Sequence, residues 1–301
     1  MSMIGARILA WYKSNGRLML PWRVVRNPYA TLVSEFMLQQ TQVDRVTPKF
    51  DAFMKAYPDI FALARAGRGD IIRQWVGLGY NSRAVRLHAV AQRITSDFAG
   101  RIPEDEATLR SLPGIGPYTA RAIMAFGYNH TVCATDTNIA RIIHRLFFGL
   151  EIPPKVKWAT VDARAQELVP SGKAHDFNGA LMDFGSTICT ARKPACKGCP
   201  LAGDCIAAPI DHGLLQEARK DIAGKNKPRI PFEQSARFAR GRIVDRLRAL
   251  PAGSSISLLD LQADIEPVLH PVLRGDILGI VEALQDDGLI RVDDRKTVAL
   301  V

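Results

Sequence analysis

The chain has 301 residues, 47% of them hydrophobic, and no apolar run near the roughly 18 residues that a membrane span needs, which excludes a helical membrane protein. A chain this long is expected to divide into two or three units sharing interfaces. Forty Lys and Arg against thirty Asp and Glu leave a net charge of +10, which points to a polyanionic partner such as nucleic acid, and residues 231–301, with nine basic and eleven acidic side chains, hold none of that excess.

In chain order, Met1 to Ala10 shows neither the apolar core nor the small-residue cleavage site of a secretory signal, so the expected location is the cytoplasm. From Trp11 to about Phe148 Pro and Gly separate helical patterns with almost no period-2 alternation, and the fold class is mostly α. Asn27-Pro28 predicts a helix start, with a cap and a proline in the first turn. Leu32, Phe36 and Val43 are predicted on its apolar stripe and Glu35, Gln39 and Gln42 on the neighbouring one. Further helices are predicted over 59–66, 69–75, 82–97, 105–112, 117–127 and 137–147. Between two of them, Leu112-Pro113-Gly114-Ile115-Gly116 can form a tight turn that either reverses the chain or offers backbone N–H groups to a phosphate. Asp136 stands where an Asp usually caps a helix. His88, His130, His144 and His175 lack ligand spacing and read as helix-surface or interface residues.

Four of the five cysteines crowd into one short segment, Cys189, Cys196, Cys199 and Cys205, while Cys133 reads as core filler. A reducing compartment argues against disulfides, and four converging thiolates suit either zinc or an iron-sulfur cube. Arg192, Lys193 and Lys197 lie between the ligands, where they can offset thiolate charge, touch phosphate or form a solvated basic loop. A linker is expected over 216–233, including Gly224-Lys225-Asn226-Lys227-Pro228. Residues 234–301 then read as three helices and a terminal hairpin, a winged-helix-like unit.

The Cys-x6-Cys-x2-Cys-x5-Cys spacing, following Met182-Asp183-Phe184-Gly185, resembles the cluster loop of endonuclease III and of the MutY-type adenine DNA glycosylases. The resemblance implies one 4Fe-4S cluster on these four cysteines that takes no part in base chemistry. The run from Leu112 through Pro117-Tyr118-Thr119-Ala120 is similar to their helix-hairpin-helix, which implies DNA contacts at Gly114 and Gly116. An Asp some twenty residues past the hairpin is that superfamily's essential carboxylate, here Asp136 in Thr135-Asp136-Thr137-Asn138, with Asn138 holding it in place. Such a carboxylate can stabilise an oxocarbenium-like sugar or bond to it transiently.

The run Met37-Leu38-Gln39-Gln40-Thr41-Gln42-Val43 narrows the resemblance to the MutY type. There the Glu at the position of Glu35 is the general acid that protonates the purine N7, which requires a pKa near ambient pH that partial burial can provide. Gln39, Gln40, Leu78 and Tyr80 match positions that wedge into the duplex and fill the space left by an extruded base, and Arg23 is placed near the base pocket.

Three departures qualify the resemblance. Tyr118 stands where endonuclease III has its Schiff-base lysine, so little or no strand cleavage is expected. Asn81-Ser82-Arg83-Ala84 looks closer to endonuclease III than to the second tyrosine common in the MutY type. Residues 231–301 do not resemble a Nudix-like domain, which matches the short, actinobacterial form of the family; the likeness is faint beyond 230.

The expected architecture is a helix-hairpin-helix glycosylase fold: a six-helix barrel at 24–132, an iron-sulfur cluster domain from 1–23 and 133–215, and the C-terminal unit, with the active cleft between the first two. The expected function is removal of adenine opposite 8-oxoguanine or guanine in double-stranded DNA, by a monomer. The rivals are a thymine or uracil mismatch glycosylase on the same scaffold, and a DNA-binding regulator that uses the cluster as a redox sensor.

Overall fold

The computed structural model describes residues 2–152, 154–223 and 230–301. The chain forms two compact units: Met1–Leu32, Pro103–Ser111 and Ile115–Lys227 make the first, and Val33–Ile102, Leu112–Gly114 and Pro228–Val301 the second. Among the described residues no helix is long and apolar enough to cross a membrane.

In the first unit the helices Met3–Asn15, Thr137–Phe147, Trp158–Glu167 and Ala174–Thr187 surround one core that includes Ile8, Ile143, Leu146, Phe177 and Phe184. The Thr137–Phe147 helix is buried at every position from Ile139 to Leu146, so its polar side chains Arg141, His144 and Arg145 must find partners inside the protein. It packs closely on the Ala174–Thr187 helix because Gly185 has no side chain: a Cβ there would lie 3.2 Å from Asn138 Cβ and 3.3 Å from Ile142 Cδ1. Cys133 is core, as expected, and burial pushes its thiol up to about 12.

The second unit packs the helices Val43–Ala56, Ile60–Arg65, Arg68–Gln74 and Ser82–Phe98 around Phe36, Phe50, Phe53, Leu63 and Trp75. The helix capped by Asn27, Pro28–Leu38, ends sooner than its apolar stripe suggests. Gln40 turns into the left-handed region at φ +57°, Gln42 caps the next helix, and Val43 begins it, so Val43 and Gln42 do not share faces with Phe36 and Glu35.

The C-terminal residues group with residues 33–102. Helices Ala236–Arg248, Leu258–Ile265 and Ile277–Asp286 pack beside a three-stranded antiparallel sheet ordered β1 (Ile256–Ser257), β3 (Thr297–Leu300), β2 (Ile290–Val292). The short β1, paired as Ile256 with Val298, adds a strand to the hairpin that the alternation revealed. The helices, hairpin and added strand have the winged-helix arrangement.

Residues 24–32, 103–111 and 115–132, expected with the barrel, group with the cysteine-bearing residues, and the C-terminal domain is joined to residues 33–102 by interlocked arginines. Arg73 donates to the carbonyls of Arg248 and Leu250 at 2.7 and 3.0 Å, while Arg248 donates to the Ile72 carbonyl and to Asn81 Oδ1 at 2.9 and 2.7 Å. The expected linker begins inside the helix His212–Ala223, and its residues 224–229 lie outside the described ones.

Candidate active site and cluster centre

Asp136 caps the Thr137–Phe147 helix. Its Oδ1 accepts hydrogen bonds from the N–H groups of Asn138 and Ile139 at 2.9 and 2.7 Å, and its Oδ2 accepts one from Asn138 Nδ2 at 2.7 Å. The capping role and the candidate catalytic role therefore coincide: the helix start that fixes the carboxylate also leaves it at the end of the element rather than within the core. Asn138 Oδ1 in turn accepts from Arg141 Nη1 at 2.9 Å, while Arg141 Nε and Nη2 donate to the carbonyls of Cys189 and Gly185 at 2.9 and 2.8 Å. A continuous hydrogen-bonded path thus joins Asp136 to the first of the four clustered cysteines.

Cys189, Cys196, Cys199 and Cys205 line one small cavity with Ile188, Pro194 and Arg145. Among the described residues no three His, Cys, Asp or Glu side chains already meet at a point where a single ion could sit; the thiols stand around a space instead. Burial raises the Cys189 thiol above its ordinary value, against the pull of Arg145 and Arg141, and pushes Cys199 up to about 11. A bound metal cluster would relieve that penalty by taking the thiolates as ligands. Arg145, 1% exposed, approaches Cys189 Sγ at 3.6 Å, holds the Thr190 carbonyl at 2.8 Å, and pairs with Glu151 at 2.7 Å. Burial alone would raise the Glu151 carboxyl, but Arg145 and Arg219 outweigh it and hold it below the usual range. The Arg145 guanidinium beside a cavity otherwise lined by thiols and apolar side chains fits an anionic thiolate-ligated group.

Tyr118, in the helix Pro117–Ala122, turns its hydroxyl toward Met182 Sδ at 4.0 Å and brings no amine to this unit's site. Gly116 caps that helix, and a Cβ on it would meet nothing within 4 Å, so this backbone is open to an approaching group.

In the second unit Glu35 is 7% exposed on the Pro28–Leu38 helix. Gly114 adopts φ +79°, a conformation costly for any side chain, and a Cβ there would lie 3.0 Å from Arg86 Cδ and 3.5 Å from Phe36 Cε1. Two loops here carry the candidate wedge residues, and both contain a non-glycine residue in left-handed backbone, Gln40 at φ +57° and Tyr80 at φ +45°. Such strain persists only where surrounding structure imposes it.

Arg83 imposes it. Its buried guanidinium donates to the carbonyls of Phe36, Met37 and Gln39 at 2.8, 2.7 and 2.6 Å, and to those of Leu78 and Gly79 at 2.9 Å each. It also reaches Thr41 Oγ1 at 3.0 Å, so one side chain stitches the loop after Leu38 to the loop after Trp75. Desolvation lowers its pKa to about 10, well above neutrality, so the group stays cationic. Sequence reading meets Arg83 only as one letter of a motif; a charged residue on the apolar side of a helix start was the available signal.

Leu78 is 2% exposed and packs in the core, contributing its carbonyl and not its side chain to the loop; Gln39 is half-buried, Gln40 exposed and Tyr80 half-buried. Arg23, expected near a base pocket, is 8% exposed and spends its donors on Asp183 at 2.6 and 3.1 Å and on the Gly179 carbonyl at 3.4 Å. It braces the first unit through a two-point charged contact with that carboxylate. His88, His144 and His175, expected at surfaces or interfaces, are 3 to 4% exposed. His144 is a packing residue with its two ring nitrogens against the Gly149 carbonyl and the Lys155 N–H.

The fold and the candidate residues define a class, and comparison with known proteins bears it out. The family described as HhH-GPD superfamily base excision DNA repair protein matches residues 33–170, and the iron-sulfur binding domain of endonuclease III matches residues 189–205. The chain is 37% identical to the adenine DNA glycosylase of Mycolicibacterium smegmatis over 293 residues, covering 96% of this chain and 93% of that one. It is 42% identical to the adenine DNA glycosylase of Mycobacterium tuberculosis over 249 residues, 80% of this chain and 77% of that one. A thermostable thymine-DNA glycosylase of known structure superposes with a TM-score of 0.63 at 31% identity, covering 67% of this chain and 94% of that chain. The chain belongs to the adenine DNA glycosylase family. The likeness to the first relative runs through the C-terminal domain, further than the motifs alone suggest, and the cysteine loop is an iron-sulfur binding domain.

Proposed function

We propose that this enzyme removes adenine mispaired with 8-oxoguanine or guanine in double-stranded DNA, as a monofunctional glycosylase acting as a monomer in the bacterial cytoplasm. The observation that carries the reading is the Asp136 carboxylate, held by three hydrogen bonds at a helix start in a chain of the adenine glycosylase family. The adenine is flipped from the stack, which costs a few kcal/mol. Glu35 gives a proton to N7, so that the base departs neutral, and Asp136 stabilises the positive charge that develops on the sugar as the glycosidic bond breaks.

Asn138 keeps Asp136 aimed. Gln39, Gln40 and Tyr80 fill the gap in the stack, with Leu78 supporting the loop from within, and Gly114 and Gly116 take backbone phosphates. Cys189, Cys196, Cys199 and Cys205 hold a 4Fe-4S cluster, which when bound fastens the 189–205 loop and supplies no base chemistry. Tyr118 offers no amine for a Schiff base, so borohydride should trap no covalent complex with an excised duplex.

A thymine or uracil mismatch activity is the second reading, favoured by the 31% identity to the thymine-DNA glycosylase. Single-turnover assays on duplexes pairing adenine with 8-oxoguanine or guanine, and thymine or uracil with guanine, separate the two. Adenine release is expected; release of only the pyrimidines would overturn the proposal.

A further inference from the structure

The C-terminal domain contributes a residue to the candidate wedge. Arg237, in the first turn of the Ala236–Arg248 helix, places its guanidinium 4.1 Å from the centre of the Tyr80 ring and donates a hydrogen bond to the Tyr80 hydroxyl. The same guanidinium lies 5.2 Å from the Phe232 ring, which meets Phe238 edge-on at 5.6 Å. From the Ser82–Phe98 helix Arg83 lies 5.6 Å from the Tyr80 ring. Tyr80 is thus gripped by two cations, one from residues 33–102 and one from the C-terminal domain. The far end of the same helix holds the next residue, through Arg248 and Asn81 Oδ1 at 2.7 Å.

Surface helices carry many arginines without consequence, and three on this helix pair with carboxylates: Arg240, Arg242 and Arg246 with Asp287, Asp245 and Asp264, Arg242 also lying 5.6 Å from the Phe238 ring. Arg237 instead has aromatic partners, and it engages a residue whose left-handed backbone follows the open Gly79, φ +69°, where a Cβ would meet nothing within 4 Å. Arg83 holds the backbone of this turn, but the Tyr80 ring beside the open Gly79 is held on its outer side by Arg237, and fixing its orientation before DNA arrives removes an ordering cost from binding.

We infer that Arg237 is a positioning residue for Tyr80, which makes the C-terminal domain part of the apparatus that opens the duplex. The inference rests on the wedge role proposed for Tyr80. The test uses the full chain, a mismatched duplex carrying 2-aminopurine beside the mispair, and the variants Arg237→Ala, Arg237→Lys, Tyr80→Ala and the double variant Arg237→Ala/Tyr80→Ala.

Arg237→Ala should weaken binding about 2- to 30-fold, the range of a cation–π contact, with the loss in half-saturation rather than in maximal excision rate. It should also reduce the fluorescence gain that reports unstacking. Arg237→Lys should restore part of both, and the double variant should be no worse than Tyr80→Ala. Additive losses would overturn the inference. So would unchanged fluorescence with a salt dependence shallower by about 0.9, the mark of one lost phosphate contact. Tyr80→Ala binding and unstacking like the parent would overturn the wedge role and the inference with it; an impaired Tyr80→Ala beside a normal Arg237→Ala would overturn the inference alone.

Discussion

Asn138 Nδ2 donates a 2.7 Å hydrogen bond to Asp136 Oδ2, and the other end of the same amide is held by Arg141. The amide therefore cannot rotate away without breaking a charged contact, and the carboxylate keeps one orientation. Asn138→Ala should lower single-turnover excision about 10- to 100-fold, the worth of a hydrogen bond to a charged group, while duplex affinity stays near the parent's. Asp136→Asn should cost at least about 10²- to 10³-fold. A parent-like rate for Asn138→Ala would show that Asp136 needs no such restraint.

Arg83→Lys tests the stitching of the two loops. An ammonium has three donors and no fork, so at least two of the five carbonyls now held by Arg83 would lose their bond to it in a buried place. A loss of about 3–5 kcal/mol is expected in denaturant unfolding, with faster amide exchange around Gln40 and Tyr80. Unchanged exchange at those residues would refute the role.

Arg23 and Asp183 make a stability prediction with a sign. Burial would raise the Asp183 carboxyl, but Arg23 and Arg17 outweigh it and the folded value is lowered. The stabilisation is therefore fully present above the unfolded value of about 3.9 and is lost as pH falls below it toward the folded one. Asp183→Asn should be less stable at pH 7 by about 3–5 kcal/mol, since Arg23 would be buried unpaired, and its stability should fall less steeply below pH about 4. Arg23→Ala should likewise melt lower; weaker DNA binding with an unchanged melting temperature would restore Arg23 to the base pocket.

Cys199→Ser should abolish the visible absorption of the purified protein and loosen the 189–205 loop, seen as rapid proteolysis there, because a ligand set of three thiolates holds the cluster poorly. Retention of full absorption would remove Cys199 from the ligand set.

Much of the helical order was legible because burial imposes a period: the predicted 82–97 and 137–147 segments lie within or match the helices Ser82–Phe98 and Thr137–Phe147. The stripe drawn through Leu32, Phe36 and Val43 failed because a strained turn at Gln40 interrupts it, and nothing in the residue types around Gln40 announces a left-handed backbone. The structure adds to what the sequence says of Arg23 and Leu78 for a related reason. A motif records that a position matters, and both do, one as half of a buried ion pair and the other as core and carbonyl.

The amino-acid order alone determined the chemistry available to this protein: four cysteines within reach of one cluster, an Asp at a helix start with an Asn two residues on, and a glutamate on a largely apolar helix. These are local facts, set by spacing along the chain and by helical periodicity. Only the tertiary structure decided which cations are spent where, that Arg83 binds two loops, Arg141 links Asp136 to Cys189, and Arg237 grips Tyr80 from the far end of the sequence. Each of these cations has at least one partner more than forty residues away in the chain, and a guanidinium's choice among distant carbonyls and rings depends on packing that no local pattern encodes.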